Sequence, residues 1–110
     1  MATDTILHLG TEDFTQEVLH SDVPVLVDFL ADWCQPCHAL APTIEKIAET
    51  YHDRIKVAKV DIDAAGELAA TYGITSIPAI VLFKNGQVTG KLVGVRPYQE
   101  YATALDTLLY

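Results

Sequence analysis

The residues best suited to chemistry are the two cysteines of the chain, Cys34 and Cys37, which enclose only Gln35 and Pro36. A disulfide across so short a loop restricts the unfolded chain by only roughly 2 kcal/mol, so it would be a weak structural cross-link. In a reducing compartment a close pair of thiols indicates metal binding or redox chemistry instead. Cysteines three apart in the first turn of a helix lie on one face, at a separation that a disulfide can bridge. The pair is therefore a candidate redox centre that can open and close.

A helix that begins at the cysteines would activate one of them. Apolar residues recur at helical spacing after the pair: Leu40, Ile44, Ile47, Ala48 and Tyr51. They predict a helix from about Cys34 to about Tyr51. The free N–H groups and the partial positive charge of a helix N-terminus favour a thiolate, so we expect the pKa of Cys34 to be lowered. Cys37, one turn deeper, is expected to stay protonated and to be less exposed than Cys34.

The rest of the chain alternates strand and helix patterns. Strands are predicted over residues 6–9, 23–30, 55–61, 79–83 and 87–93, and further helices over 11–20, 65–72 and from residue 97 onward. We expect Thr11 to cap the first helix and Pro97 to be the first residue of the last one. Asn85-Gly86 tolerates the positive φ angles of a tight hairpin turn. The chain is thus predicted to be a single α/β domain, residues 1–110, with a mixed sheet.

The charge balance limits the kinds of partner. The chain carries 7 Lys and Arg against 15 Asp and Glu, a formal net charge of -8, which disfavours binding to phosphate backbones and anionic lipids. No apolar run approaches the roughly 20 residues that span a bilayer. Residues 1–10 lack a basic region followed by an apolar stretch. We therefore expect a cytosolic protein with no nucleic-acid or membrane partner.

The residues Trp33-Cys34-Gln35-Pro36-Cys37 follow an apolar strand, and Ile77-Pro78 comes later in the chain; together they resemble the thioredoxin family. That family's pattern also has counterparts at Asp28, Lys59, Lys84-Asn85-Gly86 and Gly94. The resemblance covers nearly the whole chain and implies the thioredoxin fold, in which four helices flank a central mixed five-stranded sheet. Two residues depart from the pattern. Gln35 replaces the commoner glycine, and Leu30 stands where tryptophan is common, which leaves Trp33 as the only tryptophan.

The resemblance implies a protein-disulfide reductase. Cys34 would attack a disulfide of a substrate protein, and Cys37 would resolve the mixed disulfide. A thioredoxin reductase would recharge the pair, which would need no cofactor or metal beyond the redox-active Cys34–Cys37 disulfide. The protein would act as a monomer in the cytoplasm. Gln35 leaves the reduction potential and the choice of reductase open.

Further site residues are implied by the same resemblance. Asp28 interrupts an apolar strand, which predicts its burial; the resemblance places it behind Cys37 as an aid to deprotonation. Lys59, by its pattern a solvated strand residue, would pair with it. Pro78 would be cis and would expose the backbone of Ile77 to an extended substrate segment. The implied substrate-binding residues are Trp33, Gln35, Pro36, Ile77, Pro78, Val93 and Gly94. For Val93 a core position is equally compatible with the sequence.

Two other interpretations of the cysteine region stay open. With His38 the motif also matches Cys-x-x-Cys-His, the attachment pattern of a c-type haem. The only methionine is Met1, so a distal ligand would come from His8, His20 or His52; otherwise His38 is a solvated residue of the first helical turn. In the second interpretation the apolar surface around the cysteines docks a partner and the redox chemistry is incidental. Structural zinc is not supported, because the sequence has no second Cys-x-x-Cys.

Overall fold

One mixed sheet organises the chain, of which the computed structural model describes residues 5–110. Its strands are β1 (Ile6–His8), β2 (Val25–Leu30), β3 (Lys56–Asp61), β4 (Ala79–Lys84) and β5 (Gln87–Val93). They lie in the order β1-β3-β2-β4-β5. β3 runs parallel to β1 and β2, whereas β4 is antiparallel to β2 and β5. The carboxyl ends of β2, β3 and β5 therefore meet the amino end of β4 at one edge of the sheet.

Four helices cover the sheet: α1 (Thr11–Phe14), which continues as a π-helical turn (Thr15–Leu19), α2 (Gln35–Thr50), α3 (Gly66–Thr71) and α4 (Tyr98–Leu109). The predicted mixed five-stranded sheet with four helices is confirmed. Within residues 5–110, no helix is both long and apolar enough to cross a membrane.

Two of the predicted helix starts are wrong by one residue. Gly10 rather than Thr11 precedes α1 as its N-cap, and Thr11 is the first helical residue. Pro97 is the N-cap of α4 rather than its first helical residue. The reason is the backbone conformation, because both caps are extended, with ψ of -172° at Gly10 and 148° at Pro97. Neither position can supply the first turn of a helix.

The alternation of side chains along β2 divides the core into two layers. One layer, between the sheet and α1 and α3, contains Val25, Val27 and Phe29. The other layer lies between the sheet and α2 and α4, and there Leu26 is buried together with Leu40, Ile44, Tyr101 and Leu105. Because side chains alternate along a strand, Asp28 shares the face of Leu26. The sheet therefore carries a carboxyl group beneath α2 and α4.

The turn between β4 and β5 packs against the first helical segment. Asn85 and Gly86 both have positive φ angles, 55° and 78°. A Cβ atom on Gly86 would lie 2.8 Å from the carbonyl oxygen of Leu19. Two features therefore require glycine at residue 86: the positive φ angle and the close approach of the Leu19 backbone.

Gly86→Ala should lower the free energy of unfolding by about 2 kcal/mol or more, because the alanine is strained at positive φ and collides with Leu19. Urea denaturation followed by far-ultraviolet circular dichroism measures the loss. The matched control is Gly66→Ala, at the first residue of α3, where a Cβ meets no atom within 4 Å. There we expect a gain of at most about 1 kcal/mol from helix propensity. Equal effects of the two substitutions would contradict the prediction.

Candidate active site

The cysteine pair lies at the N-terminus of α2. Cys34 is the N-cap of the helix, with extended backbone angles (φ -90°, ψ 105°), and Cys37 lies in its first turn. The two residues are joined by a disulfide, and their Cα atoms are 5.3 Å apart. The amide of Cys34 donates to the carbonyl oxygen of Ala31 at 3.1 Å, which closes the turn between β2 and α2. The predicted position of the pair at a helix start is therefore confirmed.

The helix terminus acts directly on one of the two sulfurs. The backbone N–H of Cys37 donates to Sγ of Cys34 at 3.2 Å. An N–H group of the first turn has no partner within its own helix, and here the side chain of the N-cap residue accepts it. When the disulfide is open, this N–H group and the positive end of the helix dipole favour negative charge on Cys34. Sγ of Cys37 belongs to a residue within the helix itself.

Cys37 is slightly more exposed than Cys34, so the prediction that it is the less exposed cysteine is wrong. Cys34 is 4% exposed and Cys37 is 7% exposed. Both are buried in a small apolar cluster with Ala31, against which Ile62 and Ile77 pack. These neighbours come from the segments after β3 and before β4, so the burial of the cluster depends on the tertiary fold and not only on the position of each cysteine in the helix.

Asp28 is buried, as its apolar neighbours predict. The residue is 2% exposed, and its Oδ1 atom has no hydrogen-bond partner among the described residues. Burial raises the pKa of Asp28 from its ordinary value of 3.8 to about 7, and the charge of Lys59 offsets part of that rise. Lys59 is half-buried on β3 and lies beside Asp28 in the strand register. The face beneath α2 thus carries a carboxyl group that changes its protonation near neutral pH.

A cavity of about 500 Å³ opens beside Cys37. Its walls also include Leu30, Lys59 and Asp61. Cys37 therefore borders this cavity, while Gln35 and Pro36 between the two cysteines are exposed.

The segment before β4 also packs against the cysteines. The Ile77–Pro78 peptide bond is cis, and Ile77 packs against the cluster of the two cysteines. The amide of Gly94 donates to the carbonyl oxygen of Pro78 at 2.8 Å. Val93, at the end of β5, is 42% exposed and so is not a core residue. Ile77, Val93 and Gly94 are therefore adjoining parts of one surface next to the cysteine pair, and Pro78, which follows Ile77, is itself buried.

Trp33, which precedes Cys34 in the chain, is held by a hydrogen bond. Its side chain is 65% exposed, and its Nε1–H group donates to Oδ2 of Asp63 at 2.8 Å. Asp61 in turn accepts the amide of Asp63 at 2.8 Å. Sequence reasoning missed Asp63. An indole N–H group is a hydrogen-bond donor, but no spacing in the sequence indicates that a carboxylate, or which one, accepts from it.

His38 takes part in a local hydrogen bond. Its Nε2 atom lies 2.7 Å from the carbonyl oxygen of Asp32, and the residue is exposed. Both cysteine sulfurs are bonded to each other, so the Cys-x-x-Cys-His motif forms a disulfide at a helix start in this structure. Within residues 5–110, no group of three or more His, Cys, Asp and Glu side chains is arranged to hold a metal ion.

Comparison with known proteins agrees with this geometry. A family model described as Thioredoxin matches residues 5–107. Thioredoxin 1 of Synechococcus elongatus is 48% identical over 93 residues, which cover 84% of this chain and 87% of the relative. Thioredoxin C-2 of Corynebacterium nephridii is 40% identical over 102 residues, covering 93% and 94%. Thioredoxin of Rickettsia bellii is 49% identical over 84 residues, covering 76% and 80%. The chain therefore belongs to the thioredoxin family, and it is a thiol-disulfide oxidoreductase that reduces protein disulfides.

Proposed function

We propose that Cys34 is the attacking cysteine of this oxidoreductase and Cys37 the resolving one. The thiolate of Cys34 bonds to one sulfur of a substrate disulfide and expels the other sulfur as a thiolate. The thiolate of Cys37 then attacks Sγ of Cys34, and the mixed disulfide breaks. The substrate leaves with two thiols after protonation, and the protein keeps the Cys34–Cys37 disulfide. Two electrons pass to the substrate.

One observation carries this division of roles. The N–H group of Cys37 is donated to Sγ of Cys34 at the N-terminus of α2, so the helix stabilises a thiolate at Cys34. Cys37 is held one turn further along the same helix, with its Cα atom 5.3 Å from that of Cys34. This separation suits disulfide closure with little backbone movement, which favours rapid release of the mixed disulfide.

We further propose that Asp28 handles the proton of Cys37 and that Lys59 assists it. Resolution requires Cys37 to lose its proton, and a carboxylate that titrates near neutral pH is a suitable acceptor. The pKa of Asp28, raised to about 7 by burial, meets this need. Lys59, which opposes that rise, keeps part of the carboxyl ionised. The transfer is direct or passes through solvent in the cavity that Cys37 and Lys59 line.

Disulfide-containing proteins are proposed to bind as an extended segment across the exposed surface next to the cysteines. The residues proposed for this role are Trp33, Gln35, Pro36, Ile77, Pro78, Val93 and Gly94. Support comes from the exposure of Trp33 and Val93 and from the packing of Ile77 against the cysteine cluster. The backbone at Ile77 would pair with the substrate in the manner of an added strand.

We also propose which protein recharges the disulfide, and in which oligomeric state and compartment the chain acts. A thioredoxin reductase is proposed to recharge the disulfide, which serves as the redox group without a bound cofactor. Residues 1–110 are proposed to act as one domain, as a monomer, in the cytoplasm. The net charge of -8 supports the expectation that neither nucleic acid nor anionic membrane is a partner.

Cys34→Ser should reduce the rate of insulin reduction, with dithiothreitol as electron donor, to the rate of dithiothreitol alone. Cys37→Ser should instead accumulate a mixed disulfide with insulin, visible by mass spectrometry, because the resolving thiol is gone. If Cys34→Ser retains the full rate, the assignment is wrong. If Cys34→Ser accumulates the mixed disulfide in place of Cys37→Ser, the two roles are reversed. If Trp33→Ala abolished the effect of the protein in cells and Cys34→Ser did not, the surface would act by docking a partner, and the redox chemistry would be incidental.

Asp28 should make the stability of the oxidised protein depend on pH. Its folded pKa of about 7 lies above the ordinary 3.8, so the folded state holds a proton that the unfolded state releases. The corresponding stability is complete below about pH 4 and is lost as the pH rises through about 7, by on the order of 4 kcal/mol. Asp28→Asn should remove this decline and be the more stable protein at pH 8, while slowing the turnover of insulin. Urea denaturation at several pH values measures the decline.

The control for Asp28→Asn is Asp32→Asn, which changes an exposed carboxylate near the same cysteines. Asp32→Asn should leave the decline of stability between pH 4 and pH 8 in place. The prediction is contradicted if Asp28→Asn retains the decline as well, or if it alters neither stability nor turnover.

Asp63→Ala should free the indole ring of Trp33, because the alanine cannot accept its Nε1–H group. Trp33 is the only tryptophan, so all tryptophan fluorescence comes from this side chain. We expect lower emission anisotropy and a higher KM for insulin. The control is Asp22→Ala, an exposed position before β2 and hence at the far edge of the sheet. Unchanged anisotropy in Asp63→Ala would refute the proposed contact.

A further inference from the structure

The loop between β5 and α4 is held by one buried hydroxyl group. Tyr101 is 1% exposed, and its ring belongs to the core layer beneath α2 and α4. Its hydroxyl donates to the carbonyl oxygen of Gly94 at 3.3 Å and accepts the amide of Arg96 at 3.2 Å. A rigid part of the core is thereby joined to two backbone groups of an otherwise exposed loop.

This loop borders the proposed substrate-binding surface. Gly94 has a φ angle of 87°, a left-handed conformation, and its amide donates to Pro78 at 2.8 Å. One face of the Gly94 backbone is thus bonded to the segment beside the cysteines and the other to Tyr101. Val93 and Val95, on either side, are 42% and 51% exposed. The position of these two side chains depends on how Gly94 is held.

The hydrogen bonds of the Tyr101 hydroxyl do not change with pH around neutrality. Burial raises the pKa of Tyr101, an effect that the hydrogen bond from Arg96 partly opposes. The hydroxyl therefore keeps the proton that it donates to Gly94. The Arg96 side chain adds a second tie, since its Nε–H group donates to the carbonyl oxygen of Val93 at 3.2 Å.

We propose that Tyr101 is a positioning residue for the reduction of protein disulfides, whose hydroxyl fixes the Gly94 backbone against Pro78 and so keeps the substrate-binding surface in shape. Tyr101 does not touch the reacting sulfurs and acts only through Gly94 and Arg96. The inference rests on the proposed function of this surface. The role of Tyr101 should matter for protein substrates and not for small disulfides. A small disulfide can reach Cys34 without placing an extended segment on the loop.

The chain contains a matched control in Tyr51. Its hydroxyl is also inside the fold and donates to Oδ1 of Asp106 at 2.9 Å and to the carbonyl oxygen of Ala102 at 3.4 Å. The residue is 4% exposed and forms the C-cap of α2, at the end of the helix away from the cysteines. Tyr51→Phe therefore removes a comparable hydroxyl from the same core layer without touching the loop.

The experiment compares Tyr101→Phe with Tyr51→Phe. For each variant we would measure kcat and KM for insulin with saturating dithiothreitol, and the second-order rate constant for a small aromatic disulfide. Tyr101→Phe should raise the KM for insulin about five- to tenfold, the equivalent of one lost hydrogen bond, and leave kcat and the small-disulfide rate unchanged. Hydrogen exchange of the Arg96 amide should accelerate in Tyr101→Phe. Tyr51→Phe should change none of these quantities.

A third variant, Val93→Asp, tests the surface itself. If Val93→Asp raises the KM for insulin but Tyr101→Phe does not, the inference about Tyr101 is overturned and the surface stands. If neither variant changes the KM, the proposed surface is wrong as well. An equal rise of KM in Tyr101→Phe and Tyr51→Phe would also overturn the inference, because general loosening of α4 would then explain it.

Discussion

The redox centre depends on where α2 begins. The first turn of any helix has N–H groups without partners inside the helix, and here the one on Cys37 is directed at Sγ of Cys34. This contact distinguishes two cysteines that are otherwise alike, because the N-cap sulfur receives the stabilisation of the helix terminus. The terminus is fixed in turn, since Leu40 and Ile44 bury α2 against the sheet. The same two sulfurs in a mobile loop would lack this difference.

Asp28 shows a conflict between stability and chemistry at the same site. A buried carboxylate is costly unless it is paired, and Lys59 offsets only part of the effect of burial on its pKa. An apolar residue in β2 would pack at lower cost. The burial that destabilises the charged form is also what brings the pKa close to neutrality, where a carboxyl group can take up and return a proton. The stability cost and the proposed chemical use therefore have one physical cause.

Much of the fold could be predicted because it depends on local patterns. The apolar run over residues 23–30 predicted β2, the helical spacing of Leu40 and Ile44 predicted α2, and Asn85-Gly86 predicted the hairpin. Helix starts were less accurate, since the backbone angles of Gly10 and Pro97 decide them. The contacts from Trp33 to Asp63 and from Tyr101 to Gly94 could not be predicted. Each depends on which chain segments meet at one edge of the sheet, and spacing carries no information about that.

The surface around the cysteines and the core below it are held together by different forces. Burial of apolar side chains is non-directional. The two core layers therefore bring the strand ends together next to the cysteines, but they do not fix the orientation of each loop there. Directional contacts supply the orientation: Asp63 accepts from Trp33, Pro78 accepts from Gly94, and Gly94 accepts from Tyr101. Substitutions that remove one such contact while preserving apolar volume should therefore separate binding from stability. At the proposed binding surface, the geometry that a protein substrate would meet therefore depends on these hydrogen bonds as well as on the apolar core.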